Sequence, residues 1–366
     1  MSKVGIMICG HGSRSKSAEK EFSLLADGLK RHFPDNPVEY GFLEYSSPNI
    51  HMGLNALRDA DVDPIIAVPG MLFAATHAKN DIPSVLMTYE KKHPNIKISY
   101  GRELGLHPQM IAAFEARILQ SLGLDHVHDG DLYDTMLVVV GRGTSDTYAN
   151  AEVSKLTRIV AENLGFAWSE TVYSGVTFPS VGQGLEMGLK LGYKKIVVAP
   201  YFLFSGKLID RINGYIDRVA KNNPDIEFFK AHYLSDQEYV INTFALRINE
   251  IRLEQISDNS DLMASFKARL ELGEVTVHHH HAEYQPILDP DDDEMLTGHS
   301  HDHGHGHTHD HVHEHTHDHP FYKHIGHPNG PRTMIDQGVC CCFMSQFPSE
   351  VVDDQRKINL LKEKDK

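Results

Sequence analysis

The chain of 366 residues has four cysteines and a single tryptophan. Cys9 stands alone, while Cys340, Cys341 and Cys342 are consecutive, so no disulfide framework can staple the fold. A reducing cytoplasm is therefore the expected compartment. No run of about 18 apolar residues occurs, which argues against a membrane-spanning helix and a membrane partner. The opening MSKVGIMICGHGS has one lysine and no small-residue cleavage site, and fits a first β-strand better than a signal peptide. Basic residues are scarce too: 35 Lys+Arg face 50 Asp+Glu, a net charge of −15. That balance excludes a generally basic surface, and no nucleic-acid partner is expected. The acidity is uneven. From Ile256 onward there are 9 Lys+Arg and 20 Asp+Glu, against 26 and 30 in the preceding 255 residues.

What is present is a regular alternation. Short apolar runs at 4–9, 38–43, 65–69 and 96–100 predict four strands, and 136–140, 171–174, 196–200 and 226–229 predict four more. Amphipathic stretches such as SAEKEFSLLADGLKRHF and NAEVSKLTRIVAENLG lie between them, the pattern of parallel sheets covered by helices. The two sets also match each other. ICGHGSRSKSAEKEFSLLADGL pairs with VVGRGTSDTYANAEVSKLTRIV, and IIAVPGMLFAATH with IVVAPYFLFSGKL, the mark of an internal duplication. The expected fold is α/β, with two tandem flavodoxin-like domains over 1–130 and 131–255. A helix near 258–272 follows, then a low-complexity acidic and His-rich stretch to 319, and a cysteine-containing segment over 320–366. Residues 273–319 are too polar to fold alone and are expected to be disordered without metal.

In an open α/β sheet, ligands gather beyond the carboxyl ends of the strands. Three such ends carry chemistry in the first half: His11 in GHGSR, Glu44 in FLEYSSP and His77 in PGMLFAATHAKNDIP. Two imidazoles and a carboxylate around one cleft could hold a borderline divalent ion, or accept protons near neutral pH. Gly10 and Gly12 would allow a sharp turn that keeps His11 accessible. The bland alternative is that each histidine is a surface side chain or a local cap. In the second half His11 aligns with Arg142, and the His77 region aligns with FSGKLIDR, containing Lys207 and Arg211. Those cations are either a wall for an anionic ligand or ordinary solvated loop charges. Ser13, Arg14 and Thr144 sit near helix starts and could add donors for anions. No ATP or other nucleotide is expected: GQGLEMGLKLG is not a P-loop, and GRGTSDTYANAE lacks the third glycine of a dinucleotide fingerprint.

CGHGSR, FLEYSSPNI and VPGMLFAATHAKNDIP resemble the class II chelatases of tetrapyrrole synthesis, in particular the sirohydrochlorin cobaltochelatases of the CbiX type, across residues 3–255. The His-rich appendage resembles that of the long members. The resemblance implies a lyase-class enzyme that inserts Co²⁺ into sirohydrochlorin without ATP, in anaerobic cobalamin synthesis. It also implies metal-handling and proton-accepting roles for His11 and His77, with Glu44 as the acidic residue across the cleft. Ferrochelation of the same macrocycle for sirohaem is the rival enzyme, and a non-catalytic metal store or chaperone is the rival of another class. Duplication within one chain lets a monomer complete the site, and a homodimer stays open.

The C-terminal segment holds 17 of the chain's 26 histidines between His278 and His327. Eleven alternate with other residues: His299, His301, His303, His305, His307, His309, His311, His313, His315, His317 and His319. Such a run can wrap several imidazoles around a divalent ion, with affinity that falls as they protonate. It is expected to serve as a reservoir or buffer for the metal. Long CbiX-type proteins can carry an Fe–S centre. An Fe–S or other thiolate metal site at Cys340, Cys341 and Cys342 is the corresponding expectation, although contiguous cysteines depart from the spaced pattern.

Overall fold

The computed structural model describes residues 3–13, 15–253, 261–275 and 277. Its first half contains β1 (Lys3–Gly10), α1 (Lys16–His32), β2 (Val38–Phe42), α2 (Ile50–Asp59), β3 (Val62–Pro69), α3 (Ile82–Lys92), β4 (Ile98–Tyr100) and α4 (Pro108–Leu122). The second contains β5 (Thr135–Gly141), α5 (Thr147–Leu164), β6 (Trp168–Tyr173), α6 (Val181–Lys190), β7 (Lys195–Pro200), α7 (Lys207–Asn222), β8 (Glu227–Lys230) and α8 (Glu238–Arg252). All eight strands form where the apolar runs lie, with ends displaced by a few residues. The sheets are wholly parallel, in the orders β2-β1-β3-β4 and β6-β5-β7-β8. Strands buried on both faces need apolar residues at every position, which is why TMLVVVG in β5 is buried throughout.

The duplication is visible in backbone detail. Gly12 and Gly143 take φ of +95° and +79°, and Tyr45 and Val176 take φ of 61° and 66°. A Cβ on Gly12 would stand 1.7 Å from the carbonyl oxygen of Glu44, and one on Gly143 would stand 1.9 Å from that of Gly175. Both glycines are therefore required where two strand-end loops cross at backbone contact. Gly10 has another reason: a Cβ there would lie 2.8 Å from the rings of Phe22 and Phe42. The glycines of α6 also serve packing, since a Cβ on Gly184 would lie 2.1 Å from Val172.

Each half lends its last helix to the other. α4 packs on α5, α8 and β7, with Phe114 edge-on to Tyr201 at 5.1 Å between ring centroids. α8 packs on α1 and β3, where Gly28 admits the Ile241 side chain. Arg247 donates to the Leu104 carbonyl at 2.8 Å, and Glu250 accepts a forked pair of bonds from Arg102. One hydrophobic cluster consequently runs through both halves, from Ile8 and Phe22 to Val139 and Tyr201.

The helix expected near 258–272 is α9 (Leu262–Glu271). Asp261 caps it by accepting from the amides of Met263 and Ala264. Met263 and Phe266 join the cluster under α2 and α3, so α9 covers the outer face of the first half. No helix among the described residues is long and apolar enough to cross a membrane.

Candidate active site

The strand order places β1 and β3 side by side, with their connections leaving to opposite faces of the sheet. This opens a crevice above their carboxyl ends. His11 follows β1 directly, and His77 follows β3 at the start of a π-helical turn, His77–Asp81. Their rings meet edge to face, with centroids 4.6 Å apart and planes at 79°. The two imidazoles singled out in the sequence do come together.

Glu44 is held beside them through the backbone, its amide donating to the His11 carbonyl at 3.0 Å. Its side chain is fully buried. Burial pushes the carboxyl up to about 7, while the neighbouring His77, a hydrogen bond with Tyr45 and the charge of Arg142 pull the other way. A carboxyl placed there can give or take a proton under physiological conditions. Among the described residues no three His, Cys, Asp or Glu side chains converge as a closed metal cage. The crevice holds a pair of imidazoles with a carboxyl alongside.

Sequence reasoning missed Asp81. Its carboxylate is buried and meets His77 Nδ1 at 2.5 Å, which orients the ring. The signal was the His-x-x-x-Asp spacing, which puts the pair on one face of a helical turn. The π register has a local cause. Pro83 has no N–H to return to the carbonyls one turn behind it, and the Ile82 amide bonds back to the His77 carbonyl. The Ala78 carbonyl accepts instead from the Tyr100 hydroxyl at 3.1 Å, and the Lys79 carbonyl from Arg269 at 2.8 Å. Lys79 also forms an ion pair with Asp146 at the start of α5, tying the turn to the second half.

The remaining candidates have varied surroundings. Ser13 interlocks with Ser46: its amide donates to Ser46 Oγ at 2.9 Å, and that hydroxyl donates to the Ser13 carbonyl at 2.8 Å. Arg142 is exposed, and its charge acts on Glu44. Thr144 spends its hydroxyl in the turn before α5, where it bonds to the backbone of Asp146. Lys207 and Arg211 lie four residues apart on the first turns of α7. Arg14, the alternating histidines and Cys340 to Cys342 lie outside the described residues.

Comparison with known proteins bears on the family and the two-repeat fold. The CbiX family model matches twice, at residues 5–121 and 136–251. A sirohydrochlorin cobaltochelatase of Priestia megaterium is 33% identical over 231 residues, covering 62% of this chain and 73% of that protein. A sirohydrochlorin ferrochelatase of Bacillus subtilis (strain 168) is 27% identical over 248 residues, covering 68% and 92%. The solved structure of SirB from Bacillus subtilis with Fe³⁺ superposes with a TM-score of 0.59 at 27% identity, covering 68% of this chain and 95% of that one. Two tandem parallel α/β repeats are thus a fold shared with the chelatases. The chain belongs to the CbiX family.

Proposed function

We propose that this protein is a sirohydrochlorin chelatase, and that Co²⁺ is the ion it inserts. The observation that carries the reading is the edge-to-face contact of His11 and His77 at the β1/β3 crevice, with Glu44 buried beside them. Metallation exchanges two pyrrole N–H protons of the macrocycle for one divalent ion, which sheds its water ligands as the ring nitrogens bind. Balance therefore requires a site that holds the ion and takes up two protons. The imidazoles supply lone pairs for the ion, with His77 oriented by Asp81. As the ion passes to the ring, the vacated imidazoles and Glu44 can receive the protons. Arg142, Lys207 and Arg211 provide positive charge toward the carboxylates of sirohydrochlorin. The chemistry needs no nucleotide.

Cobalt is favoured by the histidine-rich segment, whose imidazoles suit borderline ions. Iron is the second reading, because relatives named for iron and for cobalt both match over most of their length. The test is the visible spectrum of sirohydrochlorin mixed anaerobically with purified protein and either Co²⁺ or Fe²⁺. Faster metallation with Co²⁺ is expected. Faster conversion with Fe²⁺ would reassign the metal, and no acceleration with either would leave a metal-binding protein without chelatase activity.

The alternating histidines are proposed as a store that keeps metal near the catalytic halves. Deleting residues 276–319 should leave the rate unchanged at saturating Co²⁺ and lower it when Co²⁺ is limiting. Equal rates under both conditions would remove the run from catalysis.

A further inference from the structure

Every CbiX-matched residue lies within 5–121 and 136–251, so α9 lies outside the matched segments. Its docking is specific. Met263 and Phe266 anchor it in the cluster containing Ile82, Leu86 and Tyr89, and Phe266 is fully buried. From that anchor Arg269 reaches the π-helical turn with both arms. Nη1 donates to Asn80 Oδ1 at 2.7 Å, and Nη2 donates to the Lys79 carbonyl at 2.8 Å. Asn80 is itself buried, and its carbonyl accepts from Ser84 Oγ at 2.8 Å.

The target of this fork is informative. Pro83 cannot serve the Lys79 carbonyl as an ordinary helical residue would, so the guanidinium supplies a missing donor at the point where the helix register slips. That slip sets the angle at which His77 and Asp81 leave the turn. A planar fork with two fixed N–H directions is suited to hold such a segment in one geometry. Both bonds of Arg269 end on the turn, at Asn80 and Lys79, rather than on the imidazole pair.

We infer that Arg269 is a positioning residue for the metal-handling turn, locking His77–Asp81 in its π register from a helix outside the family-matched segments. The kinetic part of this inference rests on the proposed chelatase activity; its structural part does not. α9 is also followed closely by His278–His281, so the donor-rich segment is tethered to the helix that braces the metal-handling turn.

The test compares full-length wild type, Arg269→Ala and Arg269→Lys, with the Co²⁺ concentration fixed by a chelator buffer so that binding elsewhere on the chain does not alter it. Arg269→Ala is expected to raise the KM for Co²⁺ about tenfold, the usual scale for losing an outer support of a metal-binding side chain. The KM for sirohydrochlorin should stay within about twofold, since only the metal side of the crevice is disturbed. Deuterium exchange at the Ile82 amide, the donor to the His77 carbonyl, should quicken while β1 keeps its protection. Arg269→Lys preserves the charge but not the fork, and should fall between. An unchanged KM for Co²⁺ with unchanged Ile82 exchange overturns the inference, as does a parallel rise in both KM values. Should Arg269→Ala fail to fold, the same two readings on Arg269→Lys decide the matter. If the wild type metallates nothing, the chelatase reading fails, and Ile82 exchange alone judges the brace.

Discussion

His77→Gln is expected to lower the rate of metal insertion by about 10²–10⁴-fold, the range associated with loss of a positioned proton-transfer group. Glutamine is the better replacement because of Asp81. That carboxylate is 2% exposed and meets the imidazole at 2.5 Å, so alanine would take one partner away from a buried acidic group. An amide can still donate to Asp81, yet it has no nitrogen lone pair comparable to an imidazole. Folding and catalysis are thereby separated. His11→Ala should produce a loss of the same order, because the 4.6 Å contact makes the two rings one functional unit. Stopped-flow metallation of sirohydrochlorin measures both variants, with circular dichroism confirming the fold. Activity retained in both would remove the pair from the mechanism.

Glu44→Gln is expected to make the metal-free protein more stable, increasingly so as pH rises. Burial raises the Glu44 carboxyl to about 7 in the folded chain, well above its value once unfolded. The folded state therefore holds this proton more tightly. The stabilisation is full below the unfolded pKa and is lost as pH climbs through the folded one. The gap corresponds to roughly 3 kcal/mol between pH 4.5 and pH 8, with one pKa unit worth about 1.36 kcal/mol. Glutamine cannot ionise and escapes that loss. Urea denaturation of both proteins with a chelator present should show the variant's advantage growing across this interval. A constant difference would mean that the carboxyl titrates in its ordinary range.

The three strand-end residues were legible because parallel α/β sheets collect ligands at a defined edge. Glycine-flanked His11, Glu44 and His77 all follow apolar runs toward that edge. The surroundings of His77 were harder to read. A π register depends on where carbonyls find substitute donors, and those come from Tyr100 and Arg269, distant in sequence. Local periodicity carries no record of such tertiary bonds. Asp81 could have been found from its spacing to His77, whereas Lys79 acquires its significance only when the second half brings Asp146 to it. Thr144 adds a feature the sequence did not show: its hydroxyl bonds the backbone of Asp146 in the turn before α5.

The reciprocal loan of α4 and α8 has a thermodynamic corollary. Neither repeat owns a complete apolar cover, so melting one strips the other, and denaturation should be a single cooperative event despite the ancestral duplication. A substitution deep in the second half would then weaken the histidine half as well. Mutational damage is shared between them, however differently the two copies have come to be employed.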